Sequence, residues 1–510
     1  MADTSKFIEE LNSKYLCSGE HVILGKGMLD GEVVPEVDVC LPLGTINRHG
    51  LIAGATGTGK TKTLQVFVEQ LSKNGIPTLV MDIKGDLSGI AAVGNKNSKI
   101  EERYQKTGFP YNPMAFPAEL MSISDEKGVR LRATVTEFGP VLLAKILGLN
   151  DTQSSIMSIV FKYCDDKALP LIDLEDLKKV LQYVTENPQG KEEIKSNYGS
   201  ISPASLGAIL RSIVALEQQG AGSFFGELSF EVEDLLQMRD GLGVINVLRV
   251  VDLQSKPQLF STFMLSLLAE VYMKFPEVGD KGKPKLALFI DEAHLLFKEA
   301  PKVLQDQIET IVKLIRSKGV GIYFITQVPG DIPEGVLGQL GLKIQHALRG
   351  FTAKDKKEIN KAVENYPTTE YYTTTELIQS LGIGEALVTA LSEKGIPTPL
   401  VHTYLLSPES RMDILSDTEI DELVNHSALV KKYAISVNKD SAFEILNQRM
   451  QEVVDAPSTP KVVASTRTAK PEPSMFDQVL KSPLARSVSN TIVRTGMNAL
   501  LGMLGLKKRR

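Results

Sequence analysis

Three short runs carry residue types whose spacing suits one chemistry. Gly54-Ala55-Thr56-Gly57-Thr58-Gly59-Lys60-Thr61 places glycine first and sixth, followed by lysine and a hydroxyl residue. Such glycines let the backbone turn its N–H groups onto phosphate oxygens, while Lys60 adds positive charge and Thr61 offers its hydroxyl to Mg²⁺. Asp291-Glu292 closes the apolar run Leu286-Ala-Leu-Phe-Ile290. Asp291 can hold Mg²⁺ through water, and Glu292 can orient or deprotonate an attacking water. The third run, Val320-Gly-Ile-Tyr-Phe-Ile325, delivers Thr326 and Gln327; a glutamine there can hydrogen-bond a terminal phosphate or the water. A phosphate loop joined to an acidic pair makes ATP hydrolysis with Mg²⁺ the expected activity, and ATP and Mg²⁺ the expected ligands.

These residues need elements that bring them to one edge. Leu51-Ile-Ala53 reads as a buried strand before the loop. Leu64, Phe67, Val68 and Leu71 give the next segment one apolar helical face, with its positive end toward the loop. Pro77-Thr-Leu-Val-Met-Asp82 reads as a second buried strand, completing a right-handed βαβ unit. Asp82 and Asp86 then fit either a ligand-facing strand end or a turn that they shape. Gly243–Leu248, Lys285–Ile290, Val320–Ile325 and Lys343–Leu348 continue the strands, with a helix carrying Ile308, Ile311 and Ile315 between the third and second of these last. The fold class expected is α/β, a P-loop NTPase with a mostly parallel sheet flanked by helices. A hairpin follows from Ala386–Val388 to Leu400–Tyr404.

The remainder divides by pattern. Residues 1–48 read as a small β-rich lead-in, and 49–97 with 241–407 as the ATPase core. A strand-like Val129–Val135 is followed by helical spacing, so 98–240 reads as a mostly helical insertion; its Arg211 fits a solvated helix better than a phosphate contact. Residues 408–455 read as a helical extension and 456–475, rich in proline, as a disordered linker. Residues 476–510 carry Leu480, Leu484, Val488 and Ile492 and end in Lys507-Lys-Arg-Arg510, an amphipathic basic tail suited to a protein partner, an anionic membrane surface or nucleic acid.

At 510 residues, 43% hydrophobic and 23% charged, the chain has the composition of a soluble multidomain protein. Its net charge of -5 excludes a uniformly basic coat but not a local basic channel. Cys17, Cys40 and Cys164 show no metal-ligand spacing and read as reduced thiols. Neither a secretory signal nor the roughly 18 uninterrupted apolar residues of a membrane span is visible. A cytoplasmic protein is expected.

Asn47-Arg-His-Gly-Leu-Ile-Ala-Gly through Thr61, Asp82-Ile-Lys-Gly-Asp86, Leu295-Leu-Phe, Arg316-Ser-Lys-Gly-Val-Gly and Val336-Leu-Gly-Gln-Leu-Gly341 together resemble the FtsK-HerA superfamily of RecA-type P-loop ATPases, in particular the bacterial HerA-like proteins. The resemblance covers most of residues 20–410. It implies a homo-oligomer, a hexameric ring that hydrolyses ATP between subunits and drives DNA through its pore as a translocase or helicase. It further implies that Arg316 is an arginine finger entering the neighbouring subunit's site, with Arg349 in reserve, and that Gln327 is the polar sensor. The chain departs from the family in its short β-rich lead-in, where archaeal members carry a large barrel, and in its helical insertion. A remodeller or assembly factor that grips a protein through the insertion or the tail is the alternative reading, and the acidic balance suits it.

Overall fold

The computed structural model describes residues 3–253, 256–279, 282–298, 302–350, 352–434 and 441–455. The linker and basic tail expected from 456 onward lie outside the described residues. Among those described, the strands of the main sheet are β1 (His21–Leu29), β2 (Glu32–Pro42), β3 (Gly50–Ala53), β4 (Thr78–Asp82), β5 (Ala118–Ser122), β6 (Val129–Arg130), β7 (Ile245–Arg249), β8 (Leu286–Ile290), β9 (Val320–Thr326), β10 (Leu342–Gln345), β11 (Glu385–Thr389) and β12 (Val401–Leu405). They form one twelve-stranded sheet in the order β2-β1-β12-β11-β10-β3-β9-β8-β4-β7-β5-β6. From β10 to β6 every pairing is parallel, and from β10 to β2 every pairing is antiparallel.

The central strands are short apolar runs because both sheet faces are covered, the pattern of a buried parallel sheet. Every residue of β3, β4, β8 and β9 is buried. Their registers align Ala53 with Thr326 and Ile290 with both Phe324 and Met81, so these four strands end together at one edge. Two strands, β9 and β8, lie between β3 and β4. The helix Lys60–Lys73 then packs Leu64, Phe67, Val68 and Leu71 into the sheet. Phe67 sits edge-on to Phe289 at 5.5 Å and Tyr323 at 4.9 Å, tying the loop's helix to β8 and β9.

The chain forms two compact units. The first comprises residues up to Arg132 and Leu228–Ser436; the second begins at Ala133, runs to Glu227 and takes up the chain again at Val437. Four boundaries differ from those read in the sequence. The lead-in of residues 1–48 is no separate segment, because β1 pairs with both β2 and β12 and so extends the main sheet. Residues 118–130 supply β5 and β6 to the same sheet rather than opening a helical insertion. The strand-like Val129–Val135 ends at Arg130, and a helix starts at Val135 under a capping box of Thr134 and Glu137. Finally, 408–455 divides: Asp417–His426 and Ala428–Tyr433 belong to the first unit, and Ala442–Asp455 to the second.

The second unit is helical throughout its described residues. Side-chain caps at Asn150, Asp173, Asn187 and Ser202 start its helices where the sequence changes from turn to helical spacing. Asp176 is buried there and accepts hydrogen bonds from Ser441 Oγ and, at 2.8 Å, Phe443 N–H, which docks the start of Ala442–Asp455. All three cysteines are free thiols; Cys40 and Cys164 are buried, and Cys17 is partly exposed.

Candidate nucleotide site

The phosphate loop leaves β3 at Gly54 and enters its helix at Lys60. Gly54 N–H donates to Thr326 O at 3.3 Å, and Ala55 N–H to Ala347 O at 2.8 Å, so the loop is anchored to both neighbouring strands. Gly54 has to be glycine: a Cβ there would lie 2.5 Å from His346 Cβ, at a φ of +153°. Gly57 and Gly59 also take positive φ, +78° and +110°, conformations that cost little only for glycine. Lys60 donates to its own loop's carbonyls, Gly54 O at 2.6 Å and Ala55 O at 3.0 Å. This curls the loop around the ammonium group, and burial, followed by the nearby Lys84, lowers the pKa of Lys60. Thr58 Oγ1 closes the loop on Ala55 O at 2.7 Å.

His346 is a neighbour of the phosphate loop that sequence reasoning missed. Its Nε2 lies 3.0 Å from Thr63 Oγ1 on the loop's helix, while its backbone N–H donates to Ala53 O at 2.7 Å. Burial holds its pKa down at about 4, so the ring is neutral. Only its position, four residues beyond the start of β10, could have hinted at this role.

Asp291 and Glu292 follow β8 at the same edge. Burial pushes the Asp291 carboxyl up to about 6, against the opposing pull of Lys84. Its Oδ1 accepts from Glu292 N–H at 2.9 Å. Glu292 takes φ +45°, a left-handed conformation uncommon for a non-glycine residue and found at functional sites. One carboxylate oxygen, Oε1, is 2.6 Å from Lys84 Nζ, which also stands 3.8 Å from Asp291 Oδ2. The other, Oε2, lies 3.1 Å from His294 Nδ1 and is a buried acceptor without a hydrogen-bond donor.

Asp82 ends β4, and its role is the turn-shaping one of the two open in the sequence. Oδ1 accepts from Gly85 N–H at 2.7 Å and Asp86 N–H at 3.1 Å, and Oδ2 from Leu87 N–H at 3.1 Å. That rigid turn presents Lys84 to the acidic pair. Thr326 Oγ1 donates to Asp331 Oδ2 at 2.6 Å, and Gln327 follows it with an exposed side chain.

Arg316 stands apart. It precedes β9, whereas Thr326 and Gln327 close it. Seven residues of strand separate the two ends, about 20 Å at the strand rise. Arg316 borders an open cleft of about 480 Å³ with Arg48, Lys343 and Tyr366 at the sheet's opposite edge. Arg349 is bound locally, its guanidinium donating to Gln379 O and, at 3.3 Å, Leu381 O. Arg211 lies exposed on a helix of the second unit.

The donor set fits nucleotide and Mg²⁺. Hard oxygens from Thr61 and Asp291 suit that ion, and the orphaned acceptor of Glu292 suits a water. Among the described residues no group of three His, Cys, Asp or Glu could hold a metal by itself. Phosphate oxygens and water would therefore have to complete the ion's shell.

Residues 29–509 match the helicase HerA-like C-terminal family. The chain is 26% identical over 373 residues to the DNA import protein CedB of Sulfolobus acidocaldarius, covering 70% of this chain and 52% of that protein. It is 22% identical over 386 residues to the DNA double-strand break repair helicase HerA of Saccharolobus solfataricus, covering 74% of this chain and 68% of that one. The chain thus spans about half of the first relative's length. The plasmid coupling protein TrwB, solved with the ATP analogue ADPNP, shares the fold at a TM-score of 0.52 and 13% identity, covering 81% of this chain and 96% of TrwB. No single helix among the described residues is long and apolar enough to cross a membrane. Match and fold agree: the chain belongs to the helicase HerA-like C-terminal family and has the fold of a P-loop NTPase.

Proposed function

We propose that this chain hydrolyses ATP with Mg²⁺ inside a ring of identical subunits, hexameric by resemblance, and couples turnover to moving along or unwinding DNA. The observation that carries this reading is the separation of the arginine from the acidic pair. Lys60, Thr61, Asp291, Glu292 and Gln327 belong to one sheet edge, while Arg316 belongs to the other, about 20 Å away along β9. An arginine so placed is out of reach of its own subunit's site, so any part it takes in hydrolysis would be in another copy's. A head-to-tail, heterologous contact between copies meets that demand and closes into a ring when its rotation allows.

Within the site, the loop's N–H groups and Lys60 bind the phosphates, and Thr61 and Asp291 hold the ion. Mg²⁺ supplies charge neutralisation on the transferring phosphoryl group. Glu292 accepts a hydrogen bond from the attacking water and takes its proton. Gln327 hydrogen-bonds that water or the terminal phosphate. Arg316 from the adjacent copy offsets the charge that develops. The DNA reading draws support from what CedB and HerA are named for.

The test is assembly and DNA association of the Glu292→Gln chain, which keeps the metal ligand and loses the base. With Mg²⁺-ATP it should form a ring by native mass spectrometry and retain duplex DNA in anisotropy titrations. A monomer that holds ATP but never assembles would refute the ring, and an assembled ring indifferent to DNA would turn the reading toward a protein substrate.

A further inference from the structure

Among the described residues Lys84 is the lysine paired with Glu292, and nothing in the motifs above gives it a task. Its ammonium contacts Glu292 Oε1 at 2.6 Å and stands 3.8 Å from Asp291 Oδ2. The loop that carries it is fixed by three N–H donations to Asp82, and Gly85 turns it at φ +75°. Its side chain keeps 35% exposure where that of Glu292 keeps 10%, so the lysine can change partner while the carboxylate stays in place. The second ammonium of the site, Lys60, is likewise occupied by stand-ins, the carbonyls of Gly54 and Ala55. Each ammonium thus rests on a protein acceptor, and Lys84 is near enough to Lys60 to disfavour the charge of Lys60.

We infer that Lys84 distinguishes nucleoside triphosphate from diphosphate: without a terminal phosphate it masks Glu292, and when one arrives it moves its ion pair to that phosphate and leaves Glu292 free for water. This rests on the ATPase reading above and deepens it. The competing explanation is that Lys84 only offsets the charge of a buried acidic pair. That role would weaken di- and triphosphate binding alike.

Binding, not turnover, separates the two. Mg²⁺-ADP and Mg²⁺-ADPNP affinities are measured by calorimetry for the wild-type chain, Lys84→Met, Lys84→Arg, Glu292→Gln and the double variant Lys84→Met/Glu292→Gln. Lys84→Met should weaken ADPNP by about 10- to 100-fold, the worth of one charge-assisted bond, and leave ADP within about 2-fold. Lys84→Arg should restore most of the preference. Glu292→Gln should tighten ADPNP, since the lysine no longer has to leave a carboxylate, and that gain should vanish in the double variant. Equal losses for ADP and ADPNP, or a Glu292→Gln gain that persists without Lys84, would overturn the inference. Should Lys84→Met not fold, Lys84→Gln, alone and with Glu292→Gln, takes its place in both comparisons. A wild-type chain that binds neither nucleotide would instead remove the ATPase reading on which it rests.

Discussion

Replacing Arg316 by alanine removes a side chain that stands at the start of a seven-residue strand whose far end reaches the acidic edge. At about 3.3 Å per residue the gap is about 20 Å, well beyond an arginine's reach into its own subunit's site. Nucleotide binding should therefore survive, while turnover falls by about 10³- to 10⁵-fold, the worth of an arginine finger. The location of the effect is read by mixing. Glu292→Gln and Arg316→Ala subunits, each inactive alone, combined one to one, should regain activity in roughly a quarter of sites, those with an intact Glu292 facing an intact neighbouring Arg316 in a head-to-tail ring. Wild-type subunits mixed with the Glu292→Gln/Arg316→Ala double variant supply the control for coordination around the ring. An arginine acting in trans makes the two mixtures equal. An arginine acting within its own subunit leaves the first mixture dead and the second at roughly half the sites, and that result would refute the geometric argument.

Three further outcomes follow. Lys60→Ala should weaken ATP binding by roughly 100-fold or more in calorimetry, because the loop loses its phosphate-directed charge. Phe67→Ala should destabilise the fold by about 3–5 kcal/mol in urea unfolding, since it empties a buried aromatic site against Phe289 and Tyr323. His49 titrates in the acid range: burial holds its pKa down at about 4, from an ordinary 6.5. Neutral His49 accepts from Ile322 N–H at 3.0 Å and contacts Val312 O at 2.9 Å, so protonation breaks the first bond. Its contribution is complete above pH 6.5 and is lost as pH falls through about 4, up to ~3 kcal/mol in total. His49→Gln should flatten that part of the unfolding free energy against pH.

Local structure was legible where one segment contains both signal and consequence. The phosphate loop, its helix with Leu64, Phe67, Val68 and Leu71, and the apolar run that ends in Asp291-Glu292 each sit within a dozen or so residues, and the structure puts them on the expected elements. What escaped depends on partners far along the chain. β5 was missed because Glu119 interrupts its apolar run, and its buried carboxylate is answered by Arg239 and by Ser427 Oγ at 2.6 Å. Lys84 reads as one more loop lysine until β4 and β8 are found paired side by side. His346 becomes a clamp on the phosphate-loop helix only because β10 lies next to β3. The two acidic residues of the Asp82 turn show the same limit. The sequence left a ligand role and a turn role open for both, and three backbone N–H groups within five residues give Asp82 the turn role.

The most direct test of the central claim is steady-state ATP hydrolysis by the purified chain with Mg²⁺ at low salt, alone and with single- or double-stranded DNA, using Glu292→Gln as the blank. A DNA-dependent ATPase motor predicts turnover that DNA stimulates strongly, that declines steeply as salt displaces phosphate contacts, and that is absent from the blank. Turnover unchanged by either form of DNA at every salt concentration would contradict the DNA motor, and turnover equal in the Glu292→Gln blank would contradict the assignment of the base itself.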